Sequence, residues 1–137
     1  MILVDAGPLV ALFDPGDAAH RRCVGVLKSI EERLGTTTPV LTEAFHLLTP
    51  NSVGSQRLMD FIADGALFVW FLDDALLARA FELMVQYADA SMDLADASLV
   101  ATAESEDIRK IFTIDRNDFA TYRIKRGHRH YALEVIG

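Results

Sequence analysis

The chain begins with Met1-Ile2-Leu3-Val4, an unbroken apolar run that stops at Asp5. The run is too short for a helix and offers no polar face to water, so it reads as a central strand of a parallel sheet. Gly7 and Pro8 follow and allow a sharp turn into a short helix through Leu9, Val10, Leu12 and Phe13, with Pro8 suited to a first helical turn. Asp5 then stands at the carboxyl end of a strand, where open α/β sheets hold their ligands. It is equally well placed to cap the helix behind it.

The rest of the chain alternates in the same way. Asp14-Pro15-Gly16-Asp17 is a turn, and Asp17 caps a predicted helix running to about residue 34, with Cys23, Leu27, Ile30 and Leu34 at helical spacing and Gly35 ending it. Thr36, Thr37 and Thr38 favour extended backbone. Residues 39–48 and 51–64 read as amphipathic helices, the first carrying Glu43 and His46. Residues 66–71 give the strongest strand signal after the first, and a helix capped by Asp73 or Asp74 runs on to about residue 88. Residues 92–103 open a helical segment rich in alanine. There Asp93 reads as the N-cap and Asp96 as the third helical residue, both favoured by free backbone N–H groups and the helix dipole. Residues 110–114 form the next strand, ending in Asp115. A short helix or loop follows at 116–119, and a last strand covers about 130–136. Strands alternating with helices imply right-handed crossovers and a three-layer α/β/α sandwich on a mainly parallel sheet. A chain of 137 residues suits one domain, 1–137.

No apolar run approaches the ~20 residues a membrane helix needs, and no export signal is legible at the start. Cytoplasm is the expected location, and the lone Cys23 is expected in the core, since it has no partner for an internal disulfide. The net charge of −7 argues against a generally basic surface. The distribution softens that objection. Residues 60–107 hold eleven acids and only Arg79 as a base, whereas 108–137 hold seven Lys or Arg against three acids. Arg109, Lys110, Arg116, Arg123, Lys125, Arg126 and Arg129 could form a phosphate-contacting rim, or simply a solvated face.

Four acids occupy suggestive places: Asp5 and Asp115 at strand ends, Glu43 in a helix and Asp96 at a helix start. If the strands ending in Asp5 and Asp115 are neighbours, these groups share one crevice. Such a cluster repels itself in a low-dielectric cleft and calls for a cation. All-oxygen ligation selects Mg²⁺ or Mn²⁺ over zinc, and no CxxC or HExxH arrangement is present. Carboxylate-held Mg²⁺ suits phosphodiester hydrolysis by water, which requires no nucleophilic side chain. No nucleophile elbow, P-loop or GxGxxG offers another route.

Val4-Asp5, Leu41-Thr42-Glu43, Leu94-Ala95-Asp96-Ala97-Ser98-Leu99-Val100-Ala101 and Phe112-Thr113-Ile114-Asp115-Arg116-Asn117-Asp118-Phe119 resemble, in order and spacing, the four motifs of the PIN-domain ribonucleases. Within that family the chain is similar to the short VapC toxins of toxin-antitoxin systems. The resemblance implies a Mg²⁺- or Mn²⁺-dependent endoribonuclease acting on RNA, with Asp5, Glu43, Asp96 and Asp115 as the acidic, metal-binding quartet. Asp5 and Asp96 are then the firmest ligands, and Asp93 and Asp118 are accessory. It also implies a homodimer and a small antitoxin whose tail covers the acidic cleft. Where many relatives place Ser or Thr after the first Asp, this chain has Ala6 and Gly7, so hydroxyl help comes from Thr113, from Thr42 or from nowhere. His46 is read as packed or hydrogen-bonded, and His128 and His130 as tail residues. Two other readings compete with this one. The first is a PIN-like module that binds RNA or protein without catalysis. The second is a phosphoacceptor receiver domain, which expects an acidic pair after the first strand, where Asp5 stands alone.

Overall fold

In the computed structural model, which describes residues 1–137, seven strands and seven α-helices alternate along the chain. The strands are β1 (Ile2–Val4), β2 (Leu34–Thr37), β3 (Leu67–Trp70), β4 (Lys110–Phe112), β5 (Arg123–Arg126), β6 (Arg129–Ala132) and β7 (Glu134–Ile136). The helices are α1 (Ala6–Phe13), α2 (His20–Ser29), α3 (Thr38–Leu48), α4 (Val53–Ala63), α5 (Asp74–Gln86), α6 (Leu94–Glu106) and α7 (Arg116–Thr121). Five strands form one sheet in the order β3-β2-β1-β4-β7, parallel throughout, while β5 and β6 form a separate antiparallel ribbon. Helices flank the sheet in a three-layer α/β/α arrangement. Helix α1 packs against α2, α3 and α4, α5 packs along α6, and α3 meets α6.

The first strand is central, as its composition requires. Ile2, Leu3 and Val4 are all buried, and Val4 pairs with Phe112 across the β1–β4 ladder. Successive strands spread from β1 toward β2 on one side and β4 on the other, so the strand order reverses between β1 and β4. That reversal opens a crevice at their carboxyl ends. The buried apolar side chains form one contiguous cluster that includes Cys23 and the small residues Ala95, Ala97, Ala101 and Ala103, whose size lets α6 lie close to its neighbours.

Three local expectations need correction. The helix predicted to reach residue 34 ends at Ser29, and Leu34 and Gly35 belong to β2. Sheet pairing outweighs helical spacing here: Leu34 is buried opposite Ile2 and Leu67, and the Trp70 ring lies so close over Gly35 that any side chain there would collide with it. Asp17 does not cap α2, whose N-cap is Ala19, but turns the chain into it by accepting from Ala19 N at 2.8 Å. The single strand expected over 130–136 is two, broken at the buried Leu133, with β6 in the ribbon and β7 in the main sheet. Strand β5 carries no clear sequence signal, because only Ile124 among its four residues is buried.

Candidate active site

The crevice between β1 and β4 is built by side chains that also shape the backbone around it. Asp5 both caps and faces the site. Its Oδ1 accepts from Ala6 N at 2.8 Å, and its Oδ2 accepts from the Thr113 hydroxyl at 2.9 Å. Thr113 Oγ1 in turn accepts from Asp115 N at 2.9 Å, so one buried hydroxyl ties the ends of β1 and β4 together. Thr113 therefore spends its proton on Asp5, and Thr42 spends its own on Thr38 O within α3. Gly7 lies close against Ile114: a Cβ there would sit 2.7 Å from its side chain.

Asp96 arrives from the opposite direction on the first turn of α6. Asp93 is the N-cap, and its Oδ1 accepts from Asp96 N at 2.8 Å, in agreement with the spacing. Asp96 Oδ2 accepts from the hydroxyl of Tyr122 at 3.1 Å. Tyr122 is fully buried, held edge-on between Tyr87 and Phe119 with ring centroids 5.2 Å away on each side. Sequence reasoning missed Tyr122. It lies 26 positions from Asp96, and no motif or periodicity links the two.

Glu43 projects from α3, which follows β2 without a connecting loop. The register is locked by Thr36, whose hydroxyl donates to Val4 O at 2.8 Å. Thr37 and Ser98 Oγ atoms lie 2.6 Å apart. Since Ser98 donates to Ala95 O, Thr37 donates to Ser98, and α3 and α6 are joined at their starts. Between them lies a cleft of about 610 Å³ lined by residues that include Thr42, Glu43, His46, Asp93 and Ala95. His46 is neither packed nor hydrogen-bonded, contrary to expectation. It is exposed at the cleft, because α3 buries Val40, Ala44 and Leu48 on another face.

The electrostatics show which acids meet. Burial, more than any other cause, pushes the Asp5 carboxyl up to about 6, with Glu43 and Asp93 adding repulsion and the bonds from Ala6 and Thr113 opposing it. Burial likewise pushes Asp96 up to about 7, reinforced by Asp93, Asp5 and Asp118. Glu43 is raised by burial and by Asp93. Asp115 is exposed at the start of α7 and makes no side-chain cap bond. Its carboxyl is the main reason Asp118 is raised, ahead of burial and of the charge on Asp93. None of these carboxylates takes part in an ion pair. No three acid, histidine or cysteine side chains are near enough to form a finished metal cage. The donor chemistry nevertheless suits a hard divalent cation: carboxylate oxygens only, half-buried at Asp5 and Asp96 and exposed at Glu43 and Asp115, with no basic partner.

The parallel sheet reverses between β1 and β4, and Asp5 stands at the end of β1 beside that reversal. Residues 2–125 match the PIN domain family, and the chain belongs to it. Among curated relatives it is 26% identical to Ribonuclease VapC26 of Mycobacterium tuberculosis over 89% of this chain and 92% of that protein. Its fold is similar to that of VapC20 of the same organism, described as a Sarcin-Ricin loop cleaving toxin (TM-score 0.75, 22% identity, 86% of this chain and 92% of that one). It also resembles a toxin-antitoxin complex from Klebsiella pneumoniae (TM-score 0.67, 21% identity, 88% and 92%). A third neighbour in fold is FitAcB from Neisseria gonorrhoeae (TM-score 0.63, 18% identity, 100% and 97%).

Proposed function

We propose that the chain is a divalent-metal-dependent endoribonuclease and the toxin of a toxin-antitoxin pair. The observation that carries this reading is that Asp5 and Asp96, desolvated carboxylates at the end of β1 and the start of α6, are both raised by burial and by neighbouring acids, and neither makes an ion pair. Leaving charge unpaired in this way costs stability, and a bound cation removes the cost. Membership of the PIN family and similarity to VapC26 supply the choice of RNA over other phosphodiesters.

In this reading Asp5 and Asp96 hold Mg²⁺ or Mn²⁺, and Glu43 and Asp115 complete its surroundings directly or through water. Bound there, the cation would lower the pKa of a water and neutralise charge on the leaving oxygen. The protein's own part is positional. Thr113 and Ala6 N fix the Asp5 carboxylate, while Tyr122 and the capped start of α6 fix Asp96. Glu43, exposed at the wall of the cleft, is free to orient or deprotonate the attacking water. Asp118 shares the Asp115 carboxyl environment and steadies that side of the site.

We further propose that residues 1–137 act as one domain in the cytoplasm, that two copies pair, and that a small antitoxin silences the enzyme by covering the acidic cleft. The test of the activity is cleavage of single-stranded RNA with Mn²⁺ or Mg²⁺ by the purified chain. Cleavage should disappear in Asp5→Asn and Asp96→Asn while the circular dichroism of the fold persists. Full cleavage in both folded variants would leave a different centre, or a contaminant, as the source.

A further inference from the structure

The sequence places seven Lys and Arg residues after position 107, and the structure sorts them. Lys110 pairs with Glu32, and Arg109 pairs with Asp107 while lying 4.0 Å over the Tyr131 ring. Arg116 donates to Gly137 O, and Arg126 donates to Glu104 O. Arg123 donates to the carbonyls that end α7, yet stays exposed and charged. Lys125 and Arg129 are exposed and have no side-chain partner. Both belong to the β5–β6 ribbon, which turns through Gly127 and His128, with Gly127 at φ 64° as a type II′ hairpin requires at its first loop position.

The ribbon is fixed to the candidate site at a known level. Just ahead of β5, Tyr122 donates to Asp96, and on β5 Lys125 N donates to Glu104 Oε1 at 2.9 Å. Asp96 and Glu104 are two turns apart on α6, about 12 Å along its axis. Residues 122 to 125 cover about 10 Å of extended chain. The two runs are therefore side by side, and β5 leads away from Asp96 along α6. Strand alternation sets Ile124 and Tyr131 inward and places Arg123, Lys125 and the paired His130 on the outward face. No acid occurs between residues 119 and 133.

We propose that this ribbon is the docking surface for the RNA sugar-phosphate backbone on one side of the scissile bond, an inference that rests on the ribonuclease reading above. Arg123 and Lys125 neutralise successive phosphates on the outward face and the His130 imidazole donates to another, while Arg129, paired with Arg126, leaves the ribbon on the opposite face. In a protein of net charge −7, an acid-free ribbon beginning at the catalytic wall is complementary to a polyanion that must enter an acidic crevice. RNA is favoured over an acidic protein segment because the ribbon is continuous with the site through Tyr122.

The experiment compares the wild-type chain with Lys125→Glu and with Lys28→Glu, which changes net charge equally on the distant helix α2. Each is assayed with Mn²⁺ on single-stranded RNA and on bis(p-nitrophenyl) phosphate, too small to reach the ribbon. In the ribbon variant the KM for RNA should rise tenfold or more with kcat preserved, and hydrolysis of the small diester should be unchanged. The salt dependence of log kcat/KM for RNA should flatten by about 0.7 for each phosphate that the ribbon no longer neutralises. An unchanged RNA KM in the ribbon variant, or an equal rise in the α2 variant, would overturn the proposal while leaving the ribonuclease reading intact. Weakened binding of polyglutamate with RNA cleavage unaffected would make the ribbon a protein-docking surface and overturn it too. A wild-type chain that cleaves neither substrate would defeat the ribonuclease reading and this one with it.

Discussion

Helix α6 carries a carboxylate withdrawn from water near each end, buried at Glu104 and half-buried at Asp96, and the two are treated oppositely. Glu104, 9% exposed, is fully answered: Arg79 grips both its oxygens at 2.8 and 3.0 Å, and Lys125 N donates to it as well. Asp96 receives one neutral hydroxyl and is surrounded by Asp5, Asp93 and Asp118. The same helix thus has one end built for stability and another where stability is given up. A buried charge left unpaired beside a fully paired one is a mark of a site that expects a ligand.

Breaking the satisfied end should have the larger effect on folding. Glu104→Ala removes the two-pronged acceptor of Arg79, which keeps only Glu82, and the acceptor of Lys125 N, and should lower unfolding stability by about 3 kcal/mol in urea titrations. At the other end the loss is functional. Asp5→Asn should reduce RNA cleavage by at least about a hundredfold, roughly the 2.7 kcal/mol or more that a positioned cation supplies. Tyr122→Phe keeps the ring between Tyr87 and Phe119 but removes the donor to Asp96, and should weaken Mn²⁺ binding by about tenfold with little change in KM for RNA. Asp93→Ala removes the N-cap bond at a cost of about 1 kcal/mol, partly offset by relief of repulsion on Asp96.

The contrast also has a pH signature. Asp5 and Asp96 in the fold, near 6 and 7, lie above their unfolded values near 3.8, so the folded chain binds protons more tightly between these limits. Metal-free stability should therefore fall as pH rises from about 4 through 7, and added Mn²⁺ should restore it with proton release.

Much of this was legible in the sequence where one residue carries one local task. The all-apolar Ile2-Leu3-Val4 reads as a central strand, and Asp93 with Asp96 reads as a helix start whether or not Asp96 also meets a metal. What escaped depended on partners distant in the chain. Leu34 fits a helical stripe as well as a strand, and only its neighbours Ile2 and Leu67 decide between them. The ribbon hides because its outward side chains are cationic and its single buried anchor in β5 is Ile124. Whether Asp5, Glu43 and Asp96 come near one another depends on strand order, which the spacing of motifs suggests but does not dictate. The hydroxyl that aims Asp96 comes from a tyrosine that composition alone would assign to the core.

The most direct test of the central claim, that the Asp5–Asp96 pair is a charge held open for a cation, is the melting temperature of wild type and Asp96→Asn at pH 8, with and without Mn²⁺. Without metal the variant should melt higher than wild type, because a buried repulsion has been removed. With Mn²⁺ the wild type should gain several degrees while the variant stays where it was. A variant that melts lower than wild type, beside a wild type indifferent to Mn²⁺, would contradict the claim and place Asp96 among the ordinary supports of the fold.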